Sequence, residues 1–243
     1  MARLNNKKAF SGLIGNLVFR TLEGQQIVQS RPDSVKQTSN TKASASEFRQ
    51  CSTWAKQLRL DLWAFLNKDT DSYMFRRLTG DFYKALMSNT LIPKGQRTPL
   101  NANMSDLVGF DFNLNSPFKD YFLPKIEVTA DSQKQITVIV PELEPKTQVK
   151  YPERTMEAEL LVYVYAGTLQ PNSQRTEAFF TLPIDRAAAV QPETSWTSPI
   201  LPDNHLVVVS AKLLYYTHNK FTGKNYINDA QLSPSLILFA NTI

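Results

Sequence analysis

Two short runs rich in β-forming residues, 15–22 and 25–31, are separated only by Glu23 and Gly24. A two-residue connection containing glycine marks a tight hairpin, because the turn demands positive φ, which glycine adopts without a steric penalty. Such a ribbon is marginal by itself in water. Side chains alternate between faces along a strand, and here Leu13, Ile14, Leu17, Val18, Phe19, Leu22, Ile27 and Val28 fall on both faces. One apolar face can be covered by the chain's own body, but two need cover from two sides. These eight residues are therefore expected to form an assembly interface, offered to another copy of the chain by strand addition or groove insertion.

The rest of the chain divides into recognisable stretches. Residues 1–43 comprise the ribbon and a polar linker from Pro32 to Ala43, so they read as an assembly arm. A helical hairpin is expected over 44–89. Ser44 and Glu47 have the spacing of a capping box, and Phe48, Cys51, Ala55, Leu58, Leu62, Phe65 and Leu66 recur at helical intervals. Asp71 can cap a second helix carrying Met74, Phe75, Leu78, Phe82, Leu86 and Met87, with 67–70 as the turn. Residues 90–124 hold no period and are broken by Pro93, Pro99, Pro117 and Pro124. Leu107, Val108, Phe110, Phe112, Phe118, Tyr121 and Phe122 make that stretch too apolar for a solvated linker, so an irregular packed strap is expected. Residues 125–243 contain seven β-rich runs, at 125–130, 135–140, 158–166, 177–182, 195–198, 205–216 and 235–240. That pattern fits an immunoglobulin-like or fibronectin-like sandwich. The predicted class is α+β.

Charge is unevenly distributed. Residues 1–97 carry 16 Lys and Arg against 7 Asp and Glu, or +9, whereas 98–243 carry 11 against 15, or −4. Opposite patches on one rigid subunit favour head-to-tail docking of copies. The same basic half also fits a nucleic-acid face, in which Arg49, Lys56, Arg59, Arg76, Arg77 and Lys84 of the helical pair track phosphates, although Asp61, Asp69, Asp71 and Asp81 interrupt it. A third candidate is the stretch 216–226, read as a loop whose Lys220, Phe221, Lys224 and Tyr226 form an adhesin-like binding tip.

Little in the sequence speaks for catalysis. One cysteine, Cys51, and two histidines, His205 and His218, are too few for the common zinc sites or a disulfide framework. There is no Gly-x-Ser-x-Gly elbow, Walker loop or Gly-x-Gly-x-x-Gly. The pairs Glu142/Glu144 and Glu157/Glu159 would each share a strand face, the arrangement of a solvated sheet as much as of an acid–base pair. Gly12 and Gly15 are expected to permit close backbone approach, and Gly24 to make the turn. No cofactor is expected. No apolar run reaches membrane-spanning length and no secretion signal is recognisable. Membrane insertion is therefore not expected, and the expected location is the cytoplasm or a released particle or filament.

The run from Phe10 through Gly12-Leu-Ile-Gly15-Asn16 to Phe19, the Gly24 turn, the exit Val28-Gln-Ser-Arg-Pro32 and the polar-then-helical stretch to Trp54 resemble an uncharacterised protein family of Bacteroidota. The resemblance covers about the first quarter of the chain. It implies an N-terminal ribbon, helices and a β-rich C-terminal part, and no enzymatic activity. The leading expectation is a non-enzymatic subunit that self-assembles into a filament, tube or phage-like particle, its partners being copies of itself and other particle proteins. Nucleic-acid binding and adhesin-like ligand binding are the alternatives.

Overall fold

A computed structural model describes residues 3–4, 9–31, 37–153, 155 and 157–243. The chain forms two compact units, Met1–Lys42 and Ala43–Ile243.

The first unit is wider than a two-stranded ribbon. Strands β1 (Arg3–Leu4), β2 (Phe10–Ile14), β3 (Leu17–Leu22) and β4 (Gln25–Ser30) form an antiparallel sheet in sequential order. Glu23 and Gly24 have φ of 49° and 85°, as a type I′ hairpin requires. Gly15 makes a second tight turn: Ile14 pairs with Leu17, and Gly15 has φ of 56° with no atom within 4 Å of where a Cβ would stand. Its role is thus backbone conformation and not close approach. Of the linker expected from Pro32 to Ala43, residues 32–36 lie outside the described residues, and from Ser39 onward the chain is already helical.

In the second unit, α1 (Ser39–Asp61) begins five residues before the anticipated Ser44. The hydroxyl of Thr38 caps it by accepting from the Thr41 amide at 3.2 Å. The expected capping box does not form, because Glu47 is fully buried and its Oε1 accepts from the Gly95 amide at 2.7 Å. Phe48 is consequently exposed and meets the edge of the Tyr83 ring, while Trp54 takes a place in the core. After a break at Leu62 come α2 (Trp63–Leu66) and, beyond a turn with Asn67 and Lys68 at positive φ, α3 (Met74–Ser88). Asp71 does cap this turn, accepting from the Tyr73 amide at 2.8 Å.

The β-rich part holds two antiparallel sheets. Strands β5 (Glu127–Ala130), β6 (Ile136–Val140) and β9 (Thr194–Thr197) make the smaller one, in the order β5-β6-β9. Between β6 and the next strand lies the short α4 (Pro145–Gln148). The larger sheet contains β7 (Glu157–Gly167), β8 (Thr176–Ile184), β10 (Leu206–Asn219), β11 (Gly223–Tyr226) and β12 (Ser235–Thr242). Here β8-β7-β10 run side by side, and β12 and β11 share the far edge of the long β10. Each of the seven expected runs is a strand, and β11 is an eighth.

The larger sheet is the middle layer. One face places Tyr163, Tyr165, Leu206, Val208 and Ile237 against the helices, and the other packs Val162, Val164, Val207, Val209 and Leu213 on Ile136, Val138 and Val140. Burial on both faces explains why β10 reads as an unbroken apolar run and not as an alternation. The irregular strap stitches the layers. Phe110 and Phe112 belong to the helix-side core, and Phe118 and Phe122 to the inter-sheet core. Residues 109–112 also hydrogen-bond along β12, with Gly109 N to Ile237 O at 2.8 Å and Ile237 N to Phe110 O at 3.0 Å. The terminal strand is therefore tied in on both edges.

Lys212 on β10 lies within the helix-side core, 1% exposed. Its Nζ donates to Phe65 O and Leu66 O, each at 3.1 Å, and to Asp69 Oδ2 at 3.0 Å. It thus satisfies Phe65 O at the end of α2 and adds a second donor to Leu66 O, which also accepts from the Asp69 amide at 3.0 Å. Burial pushes the ammonium pKa down and Asp69 opposes that shift. Tyr226 on β11 donates to the same carboxylate oxygen of Asp69, and burial raises its phenol pKa, which keeps it a donor. Replacing Lys212 by Met should cost about 3–5 kcal/mol, because it leaves the buried Asp69 carboxylate without its counter-charge and Phe65 O without its donor. Urea denaturation measures this, and Asp69→Asn in the same chain should recover part of the loss; an unshifted Lys212→Met midpoint would contradict the account.

Candidate functional site

The first unit's sheet has no buried residue among those described. The strand registers sort its side chains. Leu4, Phe10, Ile14, Leu17, Phe19 and Val28 share one face, since Leu4 pairs with Phe10, Ile14 with Leu17 and Phe19 with Val28. Leu13, Val18, Leu22 and Ile27 share the other. Leu4, Phe10, Ile14, Leu17, Leu22 and Val28 are each 45–60% exposed, and Leu13, Val18, Phe19 and Ile27 are half-buried. Phe10 and Phe19 lie with ring centroids 5.8 Å apart, which gives the first face a local aromatic centre. All eight residues expected at an assembly interface thus present apolar surface. Leu4 and Phe10 extend it; the alternation of 10–14 against β3 is the signal that adds Phe10.

This unit is also where the net charge resides. Residues 1–42 carry seven Lys and Arg against two acidic residues, or +5; the remaining 20 Lys and Arg of 43–243 balance 20 Asp and Glu. Free backbone groups add a further means of contact: among the described residues β4 pairs only with β3, so its outer edge can accept an added strand.

The residues expected to track phosphates on the helical pair are largely engaged within the chain. Arg77 is ion-paired with Asp71, donates to Asp111 O at 2.9 Å and lies 4.9 Å over the Phe110 ring. Lys84 pairs with Asp81 at 2.7 Å. Arg59 and Arg76 stack on Phe75 and Tyr73. Arg49 and Lys56 are exposed on α1, so these six side chains do not converge on a shared groove.

The segment 216–226 is a hairpin and not a loop. Strand β10 runs on to Asn219 and pairs with Gly223, and Gly223 has φ of 74°. At the tip Phe221 is 90% exposed with Lys220 beside its ring. Lys224 and Tyr226, by contrast, are committed to the sheet. Lys224 bridges Glu157 at 3.0 Å and Glu159 at 2.5 Å and lies over the Tyr216 ring, while Tyr226 bonds Asp69. Glu157 and Glu159 share a face as their spacing requires, and His218 sits 2.6 Å from Glu157. The hydrogen bonds from His218 and then Lys224 hold the Glu157 carboxyl below the usual carboxylate range. Both carboxylates are neutralised by these partners, an arrangement that crosslinks strands and leaves no free base. His205 closes a local turn onto Asp203 O at 2.6 Å. The other carboxylate pair, Glu142 and Glu144, is exposed on either side of the buried Leu143. Cys51 is buried, and burial pushes its thiol up to about 12, so it behaves as an inert small hydrophobe. Among the described residues no cluster of three His, Cys, Asp or Glu could hold a metal ion, and no helix is long and apolar enough to cross a membrane.

Burial alone would raise the Asp71 pKa, but the amides of Leu114 and Tyr73 and the guanidinium of Arg77 together hold it below its ordinary value. A depressed carboxyl stabilises the fold above its unfolded-state pKa, about 3.9, and that contribution fades as pH falls through the lower folded value. Asp71→Asn should therefore lower the denaturation midpoint at pH 7, and the gap from the wild type should narrow as pH falls below the unfolded-state value of about 3.9. A gap that stays constant with pH would contradict this role. Against known proteins, no family model matches the chain, and no curated protein is significantly similar to it in sequence.

Proposed function

We propose that the chain is a non-enzymatic structural subunit that assembles with copies of itself through the four-stranded sheet of residues 3–30. The observation that carries this reading is the sheet's surface. Five large apolar side chains, Leu4, Phe10, Ile14, Leu17 and Val28, are about half exposed on one face of a sheet in which no described residue is buried. A lone soluble protein rarely leaves that much contiguous apolar surface in water. The burial of one face against a second copy removes it at about 25 cal/mol per Å² of apolar area.

Charge supports the same arrangement. A +5 arm attached to an electrically balanced body repels other arms and is steered towards acidic patches on neighbouring bodies, which favours head-to-tail growth over arm-to-arm pairing. Repetition of such a heterologous contact yields a ring where the rotation closes and a filament or tube where it does not. A nucleic-acid role through the helical pair has less support, because Arg77 and Lys84 are already paired within the chain.

The concentrated protein should scatter light as a species well above its 27.6 kDa mass and appear as regular particles in negative stain. Leu17→Glu with Val28→Glu places two charges on the exposed face. It should return the protein to monomer with an unchanged circular dichroism spectrum. A wild-type chain that stays monomeric at high concentration, or a double variant that assembles equally well, overturns the proposal.

A further inference from the structure

The β-rich body of the second unit carries a concavity. It is a cleft of about 570 Å³ walled by Asp120, Tyr121 and Leu123 of the strap, by residues 146–151, and by Arg186 beyond β8. Two backbone hydrogen bonds hold the walls, Leu123 N to Gln148 O at 3.0 Å and Lys150 N to Tyr121 O at 2.9 Å. The cleft is thus braced by main chain and does not depend on side-chain packing for its shape.

Its lining carries three cations, Lys146, Lys150 and Arg186, against one acid, Asp120. None of the three forms an ion pair among the described residues. Asp185 and Glu144 lie near in sequence but outside the lining, Asp185 accepting from the Ala187 amide at 2.8 Å and Glu144 from the Thr147 hydroxyl at 3.0 Å. Two of the cations are positioned by aromatic rings. The Lys150 ammonium lies 4.7 Å from the Tyr121 centroid and the Arg186 guanidinium 4.9 Å from that of Tyr151. Such contacts limit the freedom of a long side chain while leaving its hydrogen-bond donors available. Tyr151 adds an unused donor, since its hydroxyl is shielded from solvent and has no hydrogen-bond partner. Burial pushes that phenol up to about 12, so it carries its proton at neutral pH.

Like charges gathered around a concave surface repel one another and focus a positive potential into it. This body is electrically balanced as a whole, so general solubility does not call for such a cluster. The geometry points to this cleft as a binding site for a compact phosphate-bearing anion, with Arg186 and Lys150 as its main contacts and Lys146 at its rim. Arginine suits phosphate oxygens through its planar fork of donors and lysine acts as a point charge. The ring faces are already occupied by cations, which favours a phosphoryl group over a stacked base. This site is independent of the assembly reading and would survive its failure.

Isothermal titration of the full chain at low ionic strength tests the inference, with inorganic pyrophosphate in one arm and a phosphoserine peptide in the other. Saturable one-site binding in either arm is expected, and the tighter arm identifies a free or a protein-borne phosphate. Lys150→Ala with Arg186→Ala should weaken binding by at least about tenfold, and Tyr151→Phe by a smaller factor. The cations are exposed, so thermal midpoints of these variants should match the wild type and separate lost binding from lost folding. Absence of saturable binding in both arms, or equal affinity in the folded double variant, overturns the assignment.

Discussion

A single buried ammonium group holds the second unit's layers in register. Lys212 projects from the centre of the long strand β10 and ends on the carbonyls of Phe65 and Leu66 and on Asp69. Moving a charge of this kind out of water is expensive, and the expense is offset only when every donor finds an acceptor in good geometry. The turn after α2 must therefore be where it is. Asn67 and Lys68 at positive φ bring Asp69 back towards the sheet, and Asn113 of the strap fixes that turn by donating to Asp69 O at 3.2 Å. Strap and hairpin β10–β11 thus meet at Asp69, Asn113 on its backbone carbonyl and Lys212 and Tyr226 on its carboxylate.

From that anchor the layering follows. With the helices pinned to one face of the larger sheet, β7 and β10 are enclosed on both sides, and the three-stranded sheet closes the remaining face. Glycine has one exacting role in this arrangement. The Tyr165 ring lies back along β7, so a Cβ on Gly167 would stand 2.0 Å from its hydroxyl, and that hydroxyl reaches Asp61 at 2.7 Å to make a second link from sheet to helix. Among its described residues the first unit shows no equivalent of either link. Its strands are held by backbone ladders and by partly covered apolar side chains, the condition under which a thin sheet gains most from a partner.

Several features were legible because they depend on local chemistry. Gly24 dictates its hairpin by conformation, and Glu157 and Glu159 share a face by strand geometry alone; Asp71 bonds the Tyr73 amide in the turn before α3 and not the helix's own first amides. The misreadings have equally physical causes. Ser44 and Glu47 have capping spacing, but Glu47 is recruited by the Gly95 amide 48 residues away, and Thr38 supplies the cap. Residues 216–226 contain too few apolar residues to announce a strand. They form one because Gly223 permits the turn and because Tyr226 finds Asp69. The cationic cleft was invisible, since Lys146, Lys150 and Arg186 come from segments with no shared pattern.

What the sequence determined by itself was the set of elements: periodicity, turn residues and proline placement establish which stretches are strands, helices and irregular chain, because those signals act over a few residues. It also established an N-terminal segment apolar on two faces, since alternation along a strand needs no tertiary information. Only the tertiary structure decided which charges are spent and which are free. Lys212, Arg77 and Lys224 read alike with Lys150 and Arg186 as surface cations, yet the first three are paired and the last two line an open cleft, because ion pairing depends on distances of a few ångströms between residues far apart in the chain.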